Sequence, residues 1–387
     1  MGLANSLAMK LAGIDADTAD IEGGAIVRDE DGKLTGVFKD NAMELVAKAI
    51  PAPSDTQLDR DVAAASNFVA SHGVTTVHDM SYVGLSELNA YRRARDNGRL
   101  KTRIYAVMPL ASWKVLQEEM KHSGAGDEWV RIGGLKGFMD GSLGSHTAAM
   151  LEPFSDSPQD SGFMLQDPAM MEKLVGEADE AGLHVMVHAI GDSAIRTLLD
   201  IYQRVANEHG PRDRRFRIEH AQHIHPDDMS RFAGQGVIAS MQPYHAIDDG
   251  RWAEQVIGPE RSKTTYAFSS LIQSGARVAF GSDWSVAPPT PLEGFYAALT
   301  RQTLDGANPD GWVPEQKISL DDALRAYTVN GAYASFEEDL KGSLEVGKLA
   351  DFVLLDKDLG AIAPEAIKDV KVLQTVVGGQ VVFSVDQ

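Results

Sequence analysis

From about residue 54 the chain alternates helix-forming and strand-forming stretches, and this alternation limits the possible folds more than any other feature. Residues 54–71 have the apolar spacing of a helix and run into the apolar segment GVTTVHD (73–79). Helices near 86–97 and 111–121 precede RIYAVM (103–108) and RIGGLKGFMD (131–140). A helix over 167–182 opens with Asp167 and Pro168, a cap and first-turn pair, and closes on Gly182. LHVMVHAI (183–190), a helix over 192–209, RFRIEH (215–220), a helix begun by Pro226 and GVIASMQ (236–242) follow. A helix near 263–274, ARVAFGSD (276–283) and a helix from Pro291 complete the series.

Strands joined through helices must be parallel, because the return to the same sheet edge needs a crossover. The segments predict seven strands, whereas a closed barrel of this type has eight. The expected fold class is α/β: a (β/α)8 TIM-type barrel that lacks its first strand, with an open doubly wound sheet as the alternative. Residues 21–41 contain two β-prone runs around Asp31–Gly32 and predict a hairpin. After a helix over 319–335, capped by Ser319 and Asp322, short β runs at 342–356 and 372–385 predict part of a small β-sandwich. The expected division is a lid or insertion segment at 1–50, a barrel carrying strands 2–8 at 51–336, and the sandwich part at 337–387.

Composition narrows the function. The 387 residues carry a net charge of −20 and no Cys. An acidic chain lacks the basic footprint of general nucleic-acid or anionic-membrane binding. Without Cys there are no disulfides, thiolate metal sites or Cys nucleophiles. No apolar run reaches the roughly 18 residues of a membrane span, and residues 1–20 make a poor secretory signal. A cytoplasmic protein is expected, with a small-molecule substrate and no nucleic-acid or membrane partner.

Barrel enzymes carry their chemistry where strands end. Here the strand-forming runs supply Lys136, His188, His220 and Asp283, each from a different run. Imidazoles and carboxylates hold Zn²⁺ or a similar divalent ion, which lowers the pKa of bound water to roughly 7. Each residue also has a structural reading. Strand-end histidines are often held by hydrogen bonds, and Asp283 fits as a turn cap. A lysine inside a barrel strand must be paired or modified. Lys136 is therefore either ion-paired with an acid such as Asp140, or carboxylated by CO2 into a group that bridges ions. His245, in SMQPYHAID, is a candidate substrate contact, and His78 is either another or packs below the site. His223 and His225 are expected in a solvated loop. No dinucleotide, phosphate-loop or G-x-S-x-G pattern is present.

The stretches GVTTVHDM, LKGFMDGSLGSHTAAM, VMVHAIGDSAIRTLLD, RIEHAQHIHPDD, SMQPYH, FGSDWSVAPPTPLEGFYAALTRQ and GSLEVGKLADFVLLD, with NSLAMKLAGI and GAIVRDEDGKLTGVFKDNA before them, are collinear. In them the chain resembles the amidohydrolase superfamily, in its family 3 (YtcJ-like) branch. The resemblance implies one or two divalent ions, usually zinc. It implies a carboxylated Lys136, metal-binding His188 and His220, and an Asp283 that binds metal and moves protons. It further implies that the 21–41 hairpin lies in an insertion over the site. The implied activity is hydrolysis of a non-peptide C–N bond, amide or N-acyl, by a metal-bound hydroxide. The chain departs from the family at two points. Nothing matches the His-x-His motif that ends the family's first barrel strand, and His146 stands where the family commonly has Arg. The second reading is an N-terminally truncated fragment, inactive or dependent on a partner, binding metal weakly or not at all. A homo-oligomer, or a missing N-terminal segment supplied separately, is the expected partner.

Overall fold

The computed structural model describes residues 1–80 and 83–386. Three sheets organise them. Strands β1 (Gly2–Leu3), β2 (Gly24–Arg28) and β3 (Leu34–Asp40) form an antiparallel sheet in the order β1-β3-β2, with the hairpin turning at Asp31–Gly32. The central sheet is parallel and holds β4 (Thr76–Asp79), β5 (Arg103–Pro109), β6 (Val130–Phe138), β7 (His184–Ala189), β8 (Arg217–His220), β9 (Ile238–Met241) and β10 (Val278–Phe280). These strands lie side by side in sequence order. Strands β11 (Phe352–Leu355), β12 (Val372–Val377) and β13 (Gln380–Ser384) make a C-terminal antiparallel sheet.

Local chemistry sets the helix boundaries. Ser54 Oγ accepts from Gln57 N at the start of the helix Asp55–Ser71. Asp167 accepts from the N–H groups of Ala169 and Met170 ahead of Pro168–Glu180. The helix Asp192–His209 turns Ile195, Leu198, Leu199, Tyr202 and Val205 inward at helical spacing. They pack on Val185, Val187 and Ile218 of the sheet, all fully buried. No helix among the described residues is long and apolar enough to cross a membrane.

The sheet curls into a partial barrel, and one side chain makes this visible. Strands β4 and β8 are four places apart, roughly 19 Å in a flat sheet. Yet Arg217 Nη1, on β8, donates to His78 Nδ1, on β4, at 2.9 Å. The guanidinium also reaches Glu219 and Ser240 Oγ, so it lies inside the curl with partners on three strands. The edge strands β4 and β10 are not paired with each other.

The flanking sheets are pinned to the central one. Arg103, on β5, makes a two-pronged buried ion pair with Asp351 at 2.7 and 2.9 Å. Thr375 Oγ1, on β12, donates to Ala70 O. At the other end Lys39 Nζ donates to Ser145 O at 2.6 Å, tying β3 to the loop after β6. Replacing Asp351 by Ala leaves the buried Arg103 charge, among the described residues, with only the exposed Glu128 carboxylate, at 3.9 Å, as a counter-ion. The variant is expected to lose about 3–5 kcal/mol of stability, read as a lower urea midpoint.

Candidate metal centre

His188, His220 and Asp283 lie at the C-terminal end of the central sheet, where parallel strands give way to loops. His188 is the fifth residue of β7 and His220 the last of β8. Asp283 lies three residues past β10, beyond the strand that the sequence extended to it. His220 and Asp283 adopt φ values of 74° and 59°. This left-handed backbone is costly for side chains other than Gly, and strain of this kind collects at functional sites.

The hydrogen bonds fix which nitrogen of each ring is free. His188 Nε2 meets Gly141 O at 2.9 Å. A carbonyl only accepts, so the proton is on Nε2 and Nδ1 keeps its lone pair. His220 Nδ1 donates to Gln242 Oε1 at 2.8 Å, which leaves Nε2 as the donor atom. The two rings stand edge to face with centroids 4.6 Å apart. His245, on the helix Pro243–Asp249 after β9, lies parallel to His220 at 6.2 Å. Its Nε2 is buried without a hydrogen-bond partner, 3.7 Å from Asp283 Oδ2. One ligand atom each from His220, His245 and Asp283 lie within 4.8 Å of one another.

Burial sets the charges. It lowers His188 to a pKa of about 3, with Lys136 adding repulsion, lowers His245 to about 4, and takes His220 well below its ordinary value. All three rings are neutral at pH 7, the form that binds a metal. Asp283 keeps 36% of its side chain exposed, and partial desolvation raises it to about 6 against the pull of Lys136.

Lys136 lies on β6 and is almost wholly buried. Its Nζ sits 3.8 Å from the centre of the Phe138 ring, and among the described residues no hydrogen bond or ion pair satisfies it. Burial lowers it to about 8, opposed by the carboxylates of Glu219 and Asp283. Asp140 is engaged elsewhere: it accepts from the N–H groups of Ala149, Ile190 and Gly191 at 2.8–2.9 Å. Burial lifts its pKa to about 7 despite those donors. The loops there are so close that a Cβ on Gly191 would stand 2.1 Å from Ala149 O.

The remaining sequence candidates are spread out. His78 accepts from Arg217 and meets the Tyr105 ring inside the curl. His146 bonds Asp156 in the loop after β6. His225 stays partly exposed, but His223 is buried, with Nδ1 at 2.9 Å from Thr265 Oγ1, which corrects the solvated reading. The loop after β8 folds inward onto Thr265 rather than out into water. Nothing in the sequence marks Gln242, which orients His220. Nor does anything mark Glu219, which meets Arg217 Nε at 2.8 Å off the hydrogen-bond line.

The donor set fits a divalent ion: neutral imidazoles with free lone pairs, a carboxylate, and a buried orphan nitrogen among them. A sequence model described as the amidohydrolase family matches residues 2–383. The chain belongs to the amidohydrolase family. Protein LONG AFTER FAR-RED 3 of Arabidopsis thaliana is 38% identical over 99% of this chain and 67% of its own length. The YtcJ protein of Bacillus subtilis (strain 168), named as an amidohydrolase by assignment, is 32% identical over 98% of this chain and 71% of its own. An N-substituted formamide deformylase of Arthrobacter pascens is 27% identical over 98% and 70%. A crystal structure titled as an uncharacterized metal-dependent hydrolase from Pyrococcus horikoshii OT3 superposes with a TM-score of 0.78 at 28% identity, covering 95% of this chain and 70% of that one.

Two stability measurements follow from this geometry. Asp140→Ala orphans three buried N–H groups and is expected to lose on the order of 3 kcal/mol or more, read by denaturant unfolding. Burial raises Asp249 to about 6 while Tyr266 and Gln222 donate to it. The folded state therefore holds this proton more tightly than the unfolded chain. Its contribution is full below about pH 4 and is lost as the pH rises through about 6. Asp249→Asn, which cannot titrate, should gain stability relative to wild type between pH 4.5 and pH 7.5. A constant difference between their urea midpoints would contradict this.

Proposed function

We propose that the protein is a metal-dependent hydrolase of a small molecule, cleaving an amide or N-acyl C–N bond outside ordinary peptides. The observation that carries this is the gathering of neutral His188 and His220 with Asp283 at the loop end of a parallel sheet. Family membership supports a hydrolase, and the deformylase among the relatives acts, by its name, on an N-substituted amide.

In this reading Lys136, His188, His220 and Asp283 hold one or two divalent ions, zinc or a similar metal. Bound there, an ion supplies Lewis acidity: it makes water acidic and polarises the carbonyl. Asp283 takes a proton from the attacking water on its carboxylate and delivers it to the departing amine. Its raised pKa keeps both transfers within reach near neutral pH. His188 and His220 stay neutral and oriented by Gly141 O and Gln242. Lys136 has an amine that gives up its proton more readily than an exposed lysine. Its free nitrogen attacks CO2, loses one proton and becomes an anionic carbamate able to bridge ions. A strand seated between β4 and β10 would bring the sheet to the eight strands of a closed barrel.

Lys136→Ala is expected to lower bound metal and turnover together, measured by metal analysis and by amine release from N-formyl and N-acyl amines. Full metal content in that variant would remove Lys136 from the ligand set. Asp283→Asn is expected to keep measurable metal while turnover falls by at least about 10²-fold. Near-normal turnover would rule out Asp283 as the proton carrier.

A further inference from the structure

We propose that His245 is a metal ligand, completing with His220 and Asp283 a three-donor site on the β8–β10 side of the sheet. This rests on the reading above that the chain binds a divalent ion, and it adds a donor outside the Lys136–His188–His220–Asp283 set.

The first argument is the state of its nitrogen. His245 Nε2 is shut off from solvent and has no hydrogen-bond partner. A buried polar atom left in that state costs about 1–3 kcal/mol unless something satisfies it. Asp283 Oδ2, at 3.7 Å, is too distant to do so. An ion seated between them would satisfy both groups.

The second argument is spacing. The three donors lie within 4.8 Å of one another. A four-coordinate ion with ligands at about 2.0–2.2 Å holds its donors roughly 3.3–3.6 Å apart. The site is therefore open by about an ångström, a closure within the reach of side-chain rotation.

The third is support from behind. Asp249 lies one turn after His245 on the same helix. It accepts from Gln222 Nε2 at 2.8 Å and from Tyr266 OH at 2.5 Å. Gln222 is two residues beyond His220, so one buried carboxylate fastens the His245 helix to the segment that carries His220. The tie sets the spacing of the two backbones that carry the rings, while Gln242 holds the His220 ring itself.

The test is Co²⁺ titration of the metal-stripped full chain, followed by visible absorption and by the melting temperature. Wild type is expected to develop the absorption of imidazole-ligated Co²⁺ and to melt higher with the metal. His245→Asn is expected to bind Co²⁺ at least about 10- to 100-fold more weakly, the loss typical of removing even a supporting residue. It should also lose most of the metal-induced rise in melting temperature, while its metal-free melting temperature stays near that of wild type. His245→Gln serves as the second variant if His245→Asn does not fold. Unchanged affinity and spectrum in the variant, with only a raised KM for substrate, would overturn the ligand role and make His245 a substrate contact. If wild type takes up Co²⁺ and His188→Asn abolishes uptake while His245→Asn does not, the proposal alone fails. If wild type takes up no Co²⁺, the metal-dependent reading fails with it.

Discussion

The Arg217 guanidinium holds the inside of this molecule together. It sits where a parallel barrel normally stacks apolar side chains, and it reaches His78, Glu219 and Ser240 on three strands. A buried charge is tolerated only when paired and hydrogen-bonded. Glu219 is on its own strand and Ser240 on the next, but His78 belongs to a strand that would be roughly 19 Å away in a flat sheet. The bond to His78 can form only in the curled sheet, and the same curl brings the strand ends that carry His188, His220 and Asp283 to a common mouth. The apolar helices outside the sheet supply most of the stabilisation, but they are indifferent to how tightly it bends.

Much of this was legible in the residues. The alternation of periods predicted the parallel sheet and its seven strands, because a crossover connection leaves a signature in both hydrophobic spacing and length. Capping chemistry placed helix starts at Ser54 and Asp167 to within a residue. The strand-forming runs offered Lys136, His188, His220 and Asp283 as candidates, and the fold gathers His188, His220 and Asp283 at one mouth. Long-range pairing was not legible. Arg217 reads as one more basic residue before an acidic one, and only the fold shows that its partner is a histidine 139 positions away. Asp140 looks like the natural counter-ion for Lys136, yet backbone N–H groups from its own loop and from the loop after β7 claim it first. Backbone donors have no letter in a sequence. The inward turn of the loop at His223 was hidden for the same reason.

The electrostatics of the mouth follow from burial more than from pairing. Desolvation keeps the imidazoles neutral, brings the lysine within reach of deprotonation and lifts the aspartate, all by disfavouring charge. Groups that would ordinarily carry opposite charges are moved toward a shared neutral state. Lone pairs are free, and a proton is easily moved between the groups that share the mouth.

The left-handed backbone at His220 and Asp283 has an evolutionary corollary. Each such residue costs of order 1–3 kcal/mol, which a glycine at the same position would recover while deleting the donor atom. Selection for folding robustness alone would therefore erode these two positions among the first. Among the described residues the same torsion recurs at eight other non-Gly positions, Ala221 and Val313 included, so at the mouth it is a folding cost that the donor atoms must outweigh, not a marker of use in itself.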